Sequence, residues 1–456
     1  MSAAAAPTAL RLVRAAQVLL PDGSLLHDGA LLLDPPTGRI VDVGDARILV
    51  PRHAGHPCED WGQVLVIPGL VNGHAHTFQS LLRGQGDDLD FDRWRDEVLY
   101  PSARWLGEED VASGALLAAA DMLLSGVTTV AEFFYLNDQG NTMAQVAIEA
   151  LRRIGIRTLF GRALYDGPAA PARYRERPLD AYDRVLALAN RYVDDPLVQV
   201  VPAPHSLHAA SPEAIRLGAE AAERLGTVFT IHAAERRGEV ENILRQTGRG
   251  VAAYLAGLGA LGGRTVLVHG VWLDERDLRL IAERGARIVH NPGANAFLGD
   301  GVAPLLRMRE LHIPIALGTD GGCTNNRLSI LDEMRQAVHM QRAVHGDGSL
   351  LTAADAFAMA TAEGAGVFGL RAGAIEPGAL ADLCALDLAD PALLPERDAR
   401  SSIVYSVASR AVRRVTVHGI DRVVDGRLVA VDGRELRERA AASAARSRRA
   451  GDGAYA

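Results

Sequence analysis

The chain has 456 residues, 48% of them hydrophobic, which is enough to build a large core and more than one domain. Its net charge of -8 offers no basic face to nucleic acid or to an anionic membrane, and all 48 Lys+Arg residues are arginine, so a lysine Schiff base and a phosphate-loop lysine are excluded. The three cysteines, Cys58, Cys323 and Cys384, are too few and too far apart for a disulfide framework or a zinc ribbon, and they fit a reducing cytoplasm.

Along the chain, the alanine-rich N-terminus is interrupted by Arg11 and Arg14 before an uncharged stretch of signal-peptide length develops, and nothing later reaches membrane-spanning length. Residues 10–20 read as a strand, and short strand signals continue to Val66 between turns such as Pro21-Asp22-Gly23 and Pro36-Thr37-Gly38. We therefore take 1–66 as the first part of a β domain. Residues 64–67 form a short apolar run punctuated by Pro68 and Gly69, and His74 and His76 follow it. Residues i and i+2 of an extended segment face the same side, so two imidazoles arriving at a strand end can point at one metal ion.

From 67 to 371, strand-like runs alternate with helical stretches such as Glu108–Leu124, Pro212–Leu225 and 353–368, the pattern of a (β/α) barrel. Three later apolar runs end in metal-compatible side chains. Residues 228–231 lead to His232, with Glu235 three positions on; 265–268 lead to His269; and 313–319 lead to Asp320. In a barrel of parallel strands the C-terminal ends open onto one face, so these points converge from distant parts of the chain. His290 also ends a strand-like run and is taken as a pocket wall, with Asn291 and Pro292 read as loop. Strand signals return over 375–430, at 381–386 and Val412–Val417, so 372–434 completes the β domain; His418 beyond them is read as structural. The tail, 435–456, is rich in alanine and arginine and is read as helical or disordered, a frayed and solvated helix.

The motifs Pro68-Gly69-Leu70-Val71-Asn72-Gly73-His74-Ala75-His76, His232-Ala233-Ala234-Glu235, Val268-His269-Gly270 and Gly318-Thr319-Asp320-Gly321 resemble those of the amidohydrolase superfamily. Within it they look like the mononuclear aminohydrolase branch, which contains nucleoside, guanine, triazine and formiminoglutamate deaminases. The resemblance implies an α/β fold, a distorted (β/α)8 TIM barrel with a small β-sandwich domain built from both chain ends. It also implies one divalent metal ion, zinc with iron(II) as second choice, held by His74, His76, His232 and Asp320. Many two-metal relatives bridge their ions with a carboxylated lysine, which a chain without lysine cannot make. Zinc held by protein lowers the pKa of a bound water to roughly 7. Glu235 is then implied as the proton shuttle, His269 as the group that polarises the water or stabilises developing charge, and Asp320 as a further catalytic residue.

Loops rather than the barrel decide the substrate. Phe78-Gln79, the stretches 131–135 and 203–207, and 232–240 look most like formiminoglutamate deiminases, which implies substrate contacts from Gln79, Arg95, Tyr135 and His205. Arg95 is apt, since a guanidinium can hold a carboxylate bidentately. His208 stands where that subfamily has an arginine, which leaves one carboxylate anchor absent or dependent on protonation. In the nucleoside branch the glutamate that holds ribose hydroxyls would fall near Ala103, which disfavours a ribose. Leu81-Leu82-Arg83-Gly84, 295–301 and Ala343-Val344-His345 instead resemble triazine and heterocycle aminohydrolases. The expectation is an enzyme releasing ammonia from an amidine or formimino group of a small carboxylate compound such as N-formimino-L-glutamate. The alternative is an amino group on an aromatic heterocycle: a triazine, a pterin or a purine base. We expect a cytoplasmic homo-oligomer whose partner is a small molecule, with neither nucleic acid nor membrane.

Overall fold

Eight short apolar segments, each fully or almost fully buried, become parallel strands in the computed structural model, which describes residues 10–452. The signal-peptide reading of the first residues, and the last four residues of the tail, lie outside the described residues. The eight are Leu70–His76, Val127–Phe134, Arg157–Leu164, Val198–Pro204, Phe229–Ala233, Thr265–His269, Arg287–His290 and Ile315–Leu317. A bridge between Ser206 and His232 joins the fourth to the fifth, and Asp320–Gly321 pairs with Ala75 and His76 to close the ring. Small and β-branched side chains, among them Ala131, Val201, Val266, Val268, Val289 and Ala316, fill the interior, while the outer faces pack against helices. The last strand breaks at Gly318, where a Cβ would lie 2.3 Å from Asn291 Oδ1 and 2.9 Å from His74 Cβ. Only glycine lets the chain pass there.

Helices Glu108–Leu124 and Pro212–Leu225 occupy the expected bounds. The second has its start and stop written locally: the Ser211 side chain caps the Ala214 N–H, Pro212 opens the first turn, and Gly226 ends it at φ 68°. The stretch read as one helix over 353–368 is two, Ala353–Ala360 and Ala362–Val367, because Thr361 leaves helical geometry at φ -132° and ψ -107°.

The strand Val64–Pro68 does not carry the histidines into the barrel. It pairs with Arg11–Leu19 on one side and Leu383–Asp387 on the other, and the first barrel strand begins afresh at Leu70. Through that pairing the strands of both chain ends join one nine-stranded sheet, which also includes Leu25–Asp34, Arg39–Asp45, Val412–Val417 and Ile420–Val424. An ion pair with Nε–Oδ2 of 2.6 Å between Arg157, in the third barrel strand, and Asp382, beside Leu383–Asp387, fastens sheet to barrel; its side chains are 7% and 1% exposed. Arg157→Met strands the Asp382 carboxylate in the interior and is expected to cost roughly 3–5 kcal/mol of stability. Urea unfolding measures this, and a loss below about 1 kcal/mol, the range of an exposed pair, would contradict it.

The tail corrects the expectation of a frayed, solvated helix. Gly433–Asp452 is a helix that lies along Glu108–Leu124. Arg446 reaches the buried Asp110 at 2.6 Å, Arg153 binds Glu435 at 2.6 Å, and Ser443 is buried. The partner of Arg446 is 336 residues away, where no local pattern could reveal it.

Candidate active site

Alternation along Leu70–His76 puts His74 and His76 on one side of the strand, and His76 lines a cavity at the C-terminal face of the barrel with His74 buried beside it, ring centroids 4.7 Å apart. His232, in Phe229–Ala233, meets them: its Nε2 lies 3.2 Å from His74 Nε2 and 3.3 Å from His76 Nε2. The tautomers follow from the other ring nitrogens. His76 Nδ1 donates to the Phe133 carbonyl and His232 Nδ1 to the His205 carbonyl, each at 2.6 Å, so both Nε2 atoms present lone pairs. Asp320 Oδ1 lies 3.4 Å from both His74 and His76. Converging lone pairs backed by a carboxylate repel one another unless a cation sits among them, so this donor set fits a single divalent ion.

Backbone strain marks the same place. Ala234, His269 and Asp320 adopt φ of 54°, 77° and 61°, a left-handed conformation that costs a non-glycine residue ~1–3 kcal/mol and persists where surrounding structure enforces it. Asn72 supplies part of that enforcement, accepting the Thr319 N–H at 3.1 Å through Oδ1 and bonding the Thr319 hydroxyl at 2.7 Å through Nδ2. His269 is held from behind. Its Nδ1 accepts from Asn295 at 3.0 Å and from Asn291 at 3.2 Å, which leaves its proton on Nε2, 3.6 Å from Glu235 Oε1.

Charge states are set by burial. Desolvation brings His76 down to about 4 and His269 to about 3, and pulls His232 and His205 well below the usual range, so these imidazoles are neutral at pH 7. Burial pushes Asp320 upward, but the hydrogen bond and charge of His74 outweigh it and hold the carboxyl below its usual range, ionised. Glu235 has no such support. Burial, reinforced by the charges of Asp300 and Asp320, holds it well above the carboxylate range and protonated.

The residues read as substrate contacts, Gln79, Arg95, Tyr135, His205 and His208, all line this cavity. Gln79 and Tyr135 are tied to each other, Nε2 to Oη at 2.5 Å, and His208 Nδ1 bonds Glu239 at 3.2 Å, whose other oxygen accepts the Glu235 N–H. Arg95 is already engaged. Its guanidinium binds Asp96 through Nε and Nη2 and Asp92 through Nη1, at 2.8–2.9 Å. Two expectations fail. His290 is not among the lining residues: it is buried with neither ring nitrogen bonded, and Asn291 and Pro292 begin a helix, Pro292–Phe297, instead of a loop. Ala103 is packed in the core, away from the cavity lining, so its side chain says nothing about a ribose. Phe91, Trp94, Tyr100, Tyr165 and Tyr174 were not singled out by sequence reading, although they line the cavity too. Most of them sit on helical segments too short to show a period, such as Phe91–Trp94, Tyr100–Ser102 and Ala172–Tyr174, and the one signal was the aromatic Trp94 beside Arg95.

The family model described as "Amidohydrolase family" matches residues 65–429. The chain belongs to the amidohydrolase family. Among amidohydrolase relatives, a 5-methylthioadenosine/S-adenosylhomocysteine deaminase of Syntrophobacter fumaroxidans is 35% identical over 92% of this chain and 93% of its own length. A 5'-deoxyadenosine deaminase of Methanothermobacter thermautotrophicus is 32% identical over 93% and 96%. A solved structure of an adenosine deaminase from Xanthomonas campestris with bound zinc superposes with a TM-score of 0.88 at 30% identity, covering 96% of this chain and 98% of that one. These amidohydrolases are named for purine compounds and not for formiminoglutamate.

Proposed function

We propose that this protein is a metal-dependent hydrolytic deaminase that releases ammonia from the exocyclic amino group of a purine-type heterocycle. The observation that carries this reading is the cavity lining. The cavity is lined by Phe91, Trp94, Tyr100, Tyr135, Tyr165 and Tyr174, six aromatic rings suited to a planar base, whereas Arg95 is already bound to Asp96 and to Asp92, which it shares with Arg236. The names of the relatives support the same choice, so the heterocycle alternative replaces N-formimino-L-glutamate as the main reading.

His74, His76, His232 and Asp320 would hold the ion, which the relative with bound zinc supports. When bound, such an ion supplies a water activated near neutral pH and a Lewis acid. The remaining work falls to side chains. Asp320, ionised, takes a proton at its carboxylate; Glu235, protonated, delivers one from its carboxyl to the departing nitrogen; and the neutral His269 donates its Nε2–H toward charge developing at the attacked carbon's oxygen. The balance is water plus amine to carbonyl plus ammonia.

The test is an ammonia-release screen with adenosine, 5'-methylthioadenosine, 5'-deoxyadenosine, adenine and guanine beside triazines and N-formimino-L-glutamate. Purine compounds are expected to show the highest kcat/KM, and Arg95→Met to leave that value almost unchanged. Preferential turnover of N-formimino-L-glutamate, with a loss of about one to two orders of magnitude in Arg95→Met, the size of a charge-assisted carboxylate contact, would reverse the choice.

A further inference from the structure

Glu333 lies outside the cavity, on the helix Ile330–His345, and is fully buried. Its Oε2 accepts the Gly293 N–H at 2.8 Å and its Oε1 accepts from Asn325 Nδ2 at 2.7 Å. Each of those partners leads to the site. Gly293 sits between Asn291 and Asn295, whose amides hold His269 Nδ1, and Asn325 Nδ2 also reaches the carbonyl of Thr319, the residue before Asp320, at 3.0 Å. The fit is close. A Cβ on Gly293 would lie 2.4 Å from Glu333 Oε1 and 2.8 Å from Asn325 Nδ2, so a side chain there would displace both hydrogen-bonding groups. Burial pushes Glu333 up to about 8, a cost that a helix serving only to cover the barrel would avoid with a leucine.

We infer that Glu333 is a positioning residue that fixes the segments carrying the partners of His269 and the strained turn of Asp320 relative to each other, an inference that rests on the functional reading above. Groups behind reactive side chains typically contribute 10–100-fold to metal affinity or activity. Two variants test it. Glu333→Gln replaces one accepting oxygen by an amide NH2 that cannot accept, and Asn325→Ala cuts only the branch to Thr319. Each is expected to fold with wild-type metal content and unchanged KM, to lose roughly 10–100-fold in kcat, and, when loaded with cobalt(II), to show displaced d–d absorption bands. A merely structural role would lower the melting temperature and leave both kcat per metal-loaded enzyme and the cobalt bands at wild-type values. That result, or failure of both variants to fold, overturns the inference. A wild-type enzyme that turns over none of the amines would sink the functional reading alone, and the cobalt bands of the two variants would then decide for Glu333.

Discussion

Glu235→Gln is expected to retain the metal and lose roughly 10²–10⁴-fold in kcat, the usual contribution of a positioned proton carrier. The side chain is buried beside His269, with its oxygen 3.6 Å from Nε2, and burial keeps its proton in place. Glutamine preserves shape and hydrogen bonding but has no proton to exchange, so the loss falls on kcat and KM should change little. Steady-state kinetics with metal analysis of the same sample provides the measurement. Near-normal turnover would remove Glu235 from the reaction, and loss of metal would make it a ligand.

Chelation is expected to abolish turnover and to release about one equivalent of metal per chain, and added zinc to restore both. His232→Ala should act in the same direction by removing one of three converging Nε2 atoms, and it should leave the fold intact, because the barrel strand Phe229–Ala233 is held by its backbone pairs with Thr265–His269. The apo protein should also melt at a lower temperature, since an ion bound only by the folded state adds to stability. Two tightly bound equivalents would contradict the single-ion reading that the absence of lysine and the four-residue donor set both motivate.

The sequence by itself determined which side chains stand at the mouth of the barrel. That information is local: an apolar run fixes a buried strand, the period of two fixes which residues share a side, and the polar residue that ends the run is carried to the open face. His232, His269 and Asp320 were legible for this reason and the helices Glu108–Leu124 and Pro212–Leu225 from their sequence patterns, whereas His74 and His76 were legible from their i, i+2 spacing alone, since the apolar run before them joins the terminal sheet. The tertiary structure alone decided how those groups are used. Whether Arg95 is free or matched depends on where Asp92 and Asp96 turn on one distorted helical segment, and the tautomer of His269 depends on Asn291 and Asn295, which cap and form the helix Pro292–Phe297 after the next strand. The assignment of Val64–Pro68 to the terminal sheet depends on Leu383–Asp387, and the docking of the tail on Asp110, hundreds of residues away. Charge, tautomer and partner are set by neighbours in space, and the same residue types at the same spacing are compatible with either arrangement until the chain has folded.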